Sequence, residues 1–97
     1  MTIRHLKIFI AVAETGSMSR AAQKLFLSQP TVSQAIRELE ENYEVRLFER
    51  LSKRLYITPA GQELLGYAYQ AVGQFDQLES RMQKNRRRES LRIGGTI

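Results

Sequence analysis

A mainly α fold of three short helices, a small β-hairpin and one long helix is predicted by three observations. Apolar residues recur at three-to-four spacing through most of the chain. Strand-type residues flank one basic stretch, Glu49-Arg50-Leu51-Ser52-Lys53-Arg54. A run that starts at Thr58-Pro59 carries a heptad seam, with no second breaker until the Arg-rich stretch near residue 86.

Each element follows from its own signals. Ile3, Leu6, Phe9, Ile10 and Ala13 share one side of the first helix, which Thr2 can cap and Gly16 stops. Ser19 is read as the N-cap of a second, short helix with an apolar face of Ala21, Ala22, Leu25 and Phe26. Ser28 caps a third, 28–43, where Gln29 and Pro30 form the first turn and Val32, Ala35, Ile36, Leu39 and Tyr43 follow at helical spacing. Val45, Leu47 and Phe48, then Leu55, Tyr56 and Ile57, read as two strands around a charged tip, 49–55. From Pro59 to residue 86, helical rise gives about 40 Å of helix, longer than the preceding module is wide. Its seam, Leu64, Ala68, Ala71, Phe75, Leu78 and Met82, repeats every three or four residues and calls for a partner helix. Beyond it, Lys84 to Glu89 reads as a solvated linker and Leu91-Arg92-Ile93-Gly94-Gly95-Thr96-Ile97 as a strand entering a further domain. Three parts result: 1–58, a three-helix and hairpin module; 59–86, a linker and dimerisation helix; and 87–97, a hinge and first strand.

Composition narrows the function. At 97 residues, 42% apolar and 26% charged, the chain holds one small core. With no Cys and the single His5, a disulfide framework, a zinc cluster and a thiol nucleophile are excluded, and neither a metal nor a cofactor is expected. No apolar run approaches a membrane span and MTIRHLKIF lacks a signal-peptide core, so a cytoplasmic location is the expectation. A formal charge of +5 favours a polyanionic partner.

The order helix, tight turn, helix, then basic hairpin is that of a winged helix-turn-helix, whose second helix enters the DNA major groove by its N-terminal end. Gln29, Thr31, Ser33, Gln34 and Arg37 alternate with buried Val32, Ala35 and Ile36, so the outward face carries groups that hydrogen-bond to base edges and phosphates. The free amides of helix N-termini at Ser19 and Ser28 favour phosphates. Arg50, Lys53 and Arg54 cluster where a wing sets cations against a backbone or a narrow minor groove.

These residues, HLKIFIAVAETGSMSRAAQKLFLSQPTVSQAIRELEENYEVRLFER followed by ITPAG, closely resemble the N-terminal module of LysR-type bacterial transcriptional regulators. The resemblance covers essentially the whole chain. It implies sequence-specific binding of operator or promoter DNA by a homodimer joined through antiparallel linker helices, with higher oligomers open to the full-length protein. A small-molecule effector would bind only a C-terminal domain outside this chain, of which LRIGGTI resembles the first strand. By position, Gln29, Pro30, Thr31, Ser33 and Gln34 resemble the recognition contacts, with Arg37 close to the backbone. Ser28 caps that helix, Ser19 and Arg20 would sit at a phosphate, and Lys53 and Arg54 at the wing. Three departures stand out: Gln34 where Arg is frequent, Glu44 where Gly commonly follows the recognition helix, and Leu51-Ser52 where the wing commonly has Gly.

The residues alone leave other readings open. A helical protein-interaction module would explain the seam without the hairpin. A basic helix on an anionic membrane would use Lys84 to Arg88, yet its apolar face lacks Trp and already serves the seam. Enzymatic activity ranks lowest, since Asp76 is the only Asp and no His lies near it in sequence.

Overall fold

A computed structural model describes the backbone of residues 1–96 and the side chains of residues 1–86. The element order is α1 (Ile3–Thr15), α2 (Met18–Leu25), α3 (Gln29–Tyr43), β1 (Phe48–Leu51), β2 (Arg54–Ile57) and α4 (Pro59–Thr96). This is the predicted mainly α, winged helix-turn-helix architecture followed by a long helix.

α1 begins at a capping box. The Thr2 side chain accepts the His5 N–H, and the His5 ring accepts the Thr2 N–H in the place usually held by Glu or Gln. Gly16 ends the helix at φ 69°, left-handed backbone that glycine adopts without steric cost. The single apolar stripe expected on α1 is too narrow. Ile8, Ala11 and Val12 are buried along with Leu6 and Phe9, because α2, α3 and α4 all pack on this helix and leave it little free surface.

α2 starts two residues earlier than its sequence signals suggest. Ser17, not Ser19, is the N-cap: its backbone is extended and its Oγ accepts the Arg20 N–H at 3.2 Å, while Met18 tucks against the core. Phe26 does not extend the apolar face of α2. It is the C-cap, at φ 58°, and its side chain is 95% exposed, because the reversal toward Ser28 swings it out of the helix. α3 keeps its predicted frame, with Ser28 as N-cap accepting the Thr31 N–H and Val32, Ala35, Ile36 and Leu39 buried. Tyr43, expected on that face, is exposed, since the core stops at Leu39. Glu44 closes α3 at φ 50° and ψ 44°.

The hairpin pairs Phe48 with Ile57 and Leu51 with Arg54, leaving Ser52 and Lys53 as a two-residue turn. Both have positive φ, the backbone that tight hairpins need to match strand twist. The strands therefore run into the basic stretch, and Val45 lies outside them, exposed. Phe48 joins the core through Phe9, ring centroids 5.4 Å apart. Glu40 holds the intervening loop by accepting the Leu47 N–H at 2.8 Å.

A tight corner joins wing to α4. Buried Thr58 donates its hydroxyl to the Arg46 carbonyl and accepts the Gly61 N–H, while its own N–H reaches the Leu47 carbonyl. A β-carbon at Gly61 would collide with that same Leu47 carbonyl and come within 2.6 Å of Ile57 Cγ1, so only glycine lets the first turn of α4 lie this close. Farther on, the expected seam divides. Leu64 and Ala68 pack into the chain's own core with Leu65 and Val72, whereas Ala71, Leu78 and Met82 are exposed. The cause is α1, which already covers one flank of the stripe. α4 stays helical through Thr96, where a hinge and a strand are expected. A strand needs a neighbouring edge for its backbone groups, which a helix satisfies locally. Ile97, the last residue of the expected strand, lies outside the described residues.

Candidate nucleic-acid interface

Every residue singled out on the reading surface is exposed or half-buried. Ser19, Arg20, Ser28, Gln29, Pro30, Gln34, Arg37, Arg50, Lys53 and Arg54 are exposed, and Thr31 and Ser33 are half-buried at the entrance of α3. The first turns of α3 are ordered by their own side chains. The Ser28 and Thr31 hydroxyls lie 2.7 Å apart, and Gln29 donates to Ser33 Oγ at 2.8 Å, one helical turn on. Gln34 donates to Glu38, and Arg37 donates to Gln34.

The fold joins these residues across elements. Ser19, Gln29, Arg50 and Lys53 line one open groove of about 390 Å³, so the start of α2, the start of α3 and the wing meet there. Arg20 and Arg54 line a second, of about 490 Å³, together with Ser17 and Tyr56. Pro30, Thr31 and Gln34 line a third against α1. Arg37 lies farther along α3 and belongs to none of the three. Among the described residues no ion pair engages Arg20, Arg37, Arg50, Lys53 or Arg54. The ion pairs Lys7–Asp76 and Lys24–Glu14 sit on the other flanks, while a His5–Glu38 contact lies beside Gln34 in the third groove. Unpaired cations beside two helix N-termini make a surface suited to phosphate oxygens.

Sequence reasoning missed Ser17, because Ser19 offered the same hydroxyl two residues later. It missed Tyr56, whose position on a strand gave no sign that its face turns toward Arg20. On α4 it missed Tyr67, 66% exposed and four residues before Ala71, which with Leu78 and Met82 makes the outward stripe. Phe75 is half-buried, with the Lys7 ammonium 5.6 Å from its ring centroid.

A second cluster ties the helices together. The Tyr69 hydroxyl donates to Glu14 at 2.7 Å and Lys24 donates to the same carboxylate at 3.0 Å, linking α4, α1 and α2. These two hydrogen bonds, that of Tyr69 first, hold the Glu14 carboxyl below the usual carboxylate range, and the first pushes the Tyr69 phenol up. Among the described residues no acidic or histidine cluster could hold a metal ion, and no helix is long and apolar enough to cross a membrane.

A three-helix core, a helix pair with a polar leading edge and a basic two-stranded wing define a DNA-binding winged helix-turn-helix protein. Residues 3–62 match the family described as bacterial regulatory helix-turn-helix protein, lysR family, and the chain belongs to that family. It is similar to an uncharacterized HTH-type transcriptional regulator in the ibpB-leuC intergenic region of Azotobacter vinelandii, 50% identical over 72 residues, covering 74% of this chain and 50% of that protein. The HTH-type transcriptional regulator BenM of Acinetobacter baylyi is 40% identical over 80 residues, 82% of this chain and 26% of BenM. In structure, the BenM DNA-binding domain in complex with catB site 1 DNA matches with a TM-score of 0.82 at 38% identity, covering 87% of this chain and 94% of that one. The CbnR DNA-binding domain in its DNA complex matches with a TM-score of 0.80 at 35% identity, covering 88% and 98%. The chain spans between 26% and 50% of the length of these two curated relatives.

Proposed function

We propose that α3 enters the major groove of operator DNA with Gln29, Pro30, Thr31, Ser33 and Gln34 at base edges. Arg37 then lies close to the backbone, Ser19 and Arg20 bind a phosphate, and Arg50, Lys53 and Arg54 on the wing bind the backbone or the adjacent minor groove. The observation that carries this reading is the groove where Ser19 and Gln29 meet Arg50 and Lys53. It joins base-reading chemistry to phosphate-binding charge on one surface, as sequence-specific binding requires. The BenM and CbnR structures, both complexes with DNA, support it.

In this reading the chain acts as a homodimer, with the outward stripe of α4 from Tyr67 to Met82 against the same stripe of a second copy. The whole protein regulates transcription in the bacterial cytoplasm. The end of α4 leads toward an effector-binding domain, and a small-molecule effector acts through that domain alone. The test is a titration with duplex DNA at several salt concentrations, using operator candidates selected from a random pool. A steep salt dependence together with a reproducible consensus is expected. Binding that is weak, salt-insensitive or without sequence preference overturns the reading.

A further inference from the structure

Gln34 is held at both ends of its amide. Its Nε2 donates to Glu38 Oε1 at 3.3 Å, and its Oε1 accepts from Arg37 Nη1 at 3.3 Å. The second oxygen of Glu38 lies 2.7 Å from His5 Nε2, a contact from α3 to α1 across 33 residues of sequence. His5 is oriented in turn by the start of its own helix, where Nδ1 accepts the Thr2 N–H at 3.3 Å. With Nδ1 acting as an acceptor, the neutral ring carries its proton on Nε2 and donates it to Glu38. The His5 hydrogen bond first, and that of Gln34 second, hold the Glu38 carboxyl below its ordinary range, so it stays an acceptor.

A glutamine amide reads adenine only in one orientation, Oε1 toward N6 and Nε2 toward N7. Left alone, the terminal torsion of glutamine is broad and the two ends exchange at little cost, which blurs discrimination. An ionised carboxylate can only accept, so Glu38 binds the NH₂ end and rejects the carbonyl end. Arg37 can only donate, so it binds the carbonyl end. One hydrogen on Nε2 and one lone pair on Oε1 remain for a base, in a fixed order.

We propose that Glu38, anchored by His5, is a specificity-determining positioning residue that fixes the amide of Gln34 in the orientation an adenine edge accepts. This rests on Gln34 reading a base, the reading given above. Neither Glu38 nor His5 needs to touch DNA for it. Both act through the order in which Gln34 offers its donor and acceptor.

The test uses the full chain and duplexes that differ only at the base pair whose preference Gln34→Ala abolishes. Glu38→Ala is expected to cut discrimination at that pair by about tenfold while leaving preferences at other pairs intact. In a Gln34→Ala background the same change should have no further effect there. His5→Ala should reproduce the loss. His5→Gln, whose amide can still donate to the same Glu38 oxygen, should restore discrimination even though it disturbs the helix cap. A merely structural role would lower affinity equally for all four pairs, and that outcome overturns the proposal. So does a loss that persists in the Gln34→Ala background. If the wild type selects a consensus and Gln34→Ala leaves every pair unchanged, base reading by Gln34 itself is wrong, and the role of Glu38 falls with it.

Discussion

Glu44 ends α3 in left-handed backbone, at φ 50° and ψ 44°, with its N–H bonded to the Glu40 carbonyl. A residue with a Cβ is strained there, and the site is exposed, so glycine would lose no packing. Glu44→Gly is expected to raise stability by roughly 0.5–1 kcal/mol, the relief exceeding the added flexibility of the unfolded chain. A lower thermal midpoint for the variant would contradict this. Gly61 presents the opposite case: its missing Cβ is the space that the Leu47 carbonyl and Ile57 occupy. Gly61→Ala should cost about 1–3 kcal/mol in denaturant melts, as overpacking does. The Glu44 conformation was legible in sequence, since a family resemblance marks the position as a glycine site. The packing at Gly61 was not, because it depends on a strand and a helix meeting, and no local signal records that meeting.

At the scale of elements, the wing and α4 make separable predictions. Lys53→Ala and Arg54→Ala should weaken binding to all DNA sequences about evenly and reduce the slope of log affinity against log salt by nearly one unit each. A sharp change in consensus with an unchanged slope would show that these side chains read bases instead. On α4, Ala71→Glu should dissociate the proposed dimer in sedimentation, whereas Gln70→Glu should leave it intact, because only Ala71 lies on the outward stripe. An unchanged dimer in the Ala71 variant removes that stripe as the interface. Ala68 is unsuited to the same experiment, since it is buried in the chain's own core and a charge there would unfold the domain before testing any interface. Helical spacing alone could place Leu64, Ala68, Ala71, Phe75, Leu78 and Met82 on one side of α4. It could not divide them, because the chain's own α1 and the proposed second copy would ask for the same residue types.

For the molecule as a whole, the Glu14 carboxylate is where α1, α2 and α4 are tied by side chains. Its carboxyl is held below the ordinary range, so this tie is fully present above the usual Glu pKa and is lost as pH falls through the folded value. Tyr69 is shifted upward, so the same tie is present below the usual Tyr pKa and is lost as pH rises through the folded value. Both groups are solvent-exposed, and the effect is correspondingly small. Glu14→Gln should flatten both limbs of a stability–pH profile, and a profile identical to wild type would show that the tie adds nothing. The helices, the wing and their order were all legible from spacing and caps. The way they lean on one another was not, because it is set by long-range contacts such as Tyr69 to Glu14.

The Thr58 to Gly61 corner makes α4 a lever fixed at one end. Its first turn is hydrogen-bonded to the loop that precedes the wing, and no side chain at Gly61 cushions the contact. From that fulcrum the helix reaches about 40 Å by Arg86, so a tilt of about 5° moves its far end by about 3.5 Å, the rise of one base pair. In the proposed dimer, errors of fit at the corner would thus be magnified into the distance between the two DNA-reading ends. If the chain binds as the dimer proposed above, the corner would act as a ruler for how far apart a pair of half-sites can stand, and substitutions there should alter the tolerated spacer length before they alter the half-site itself.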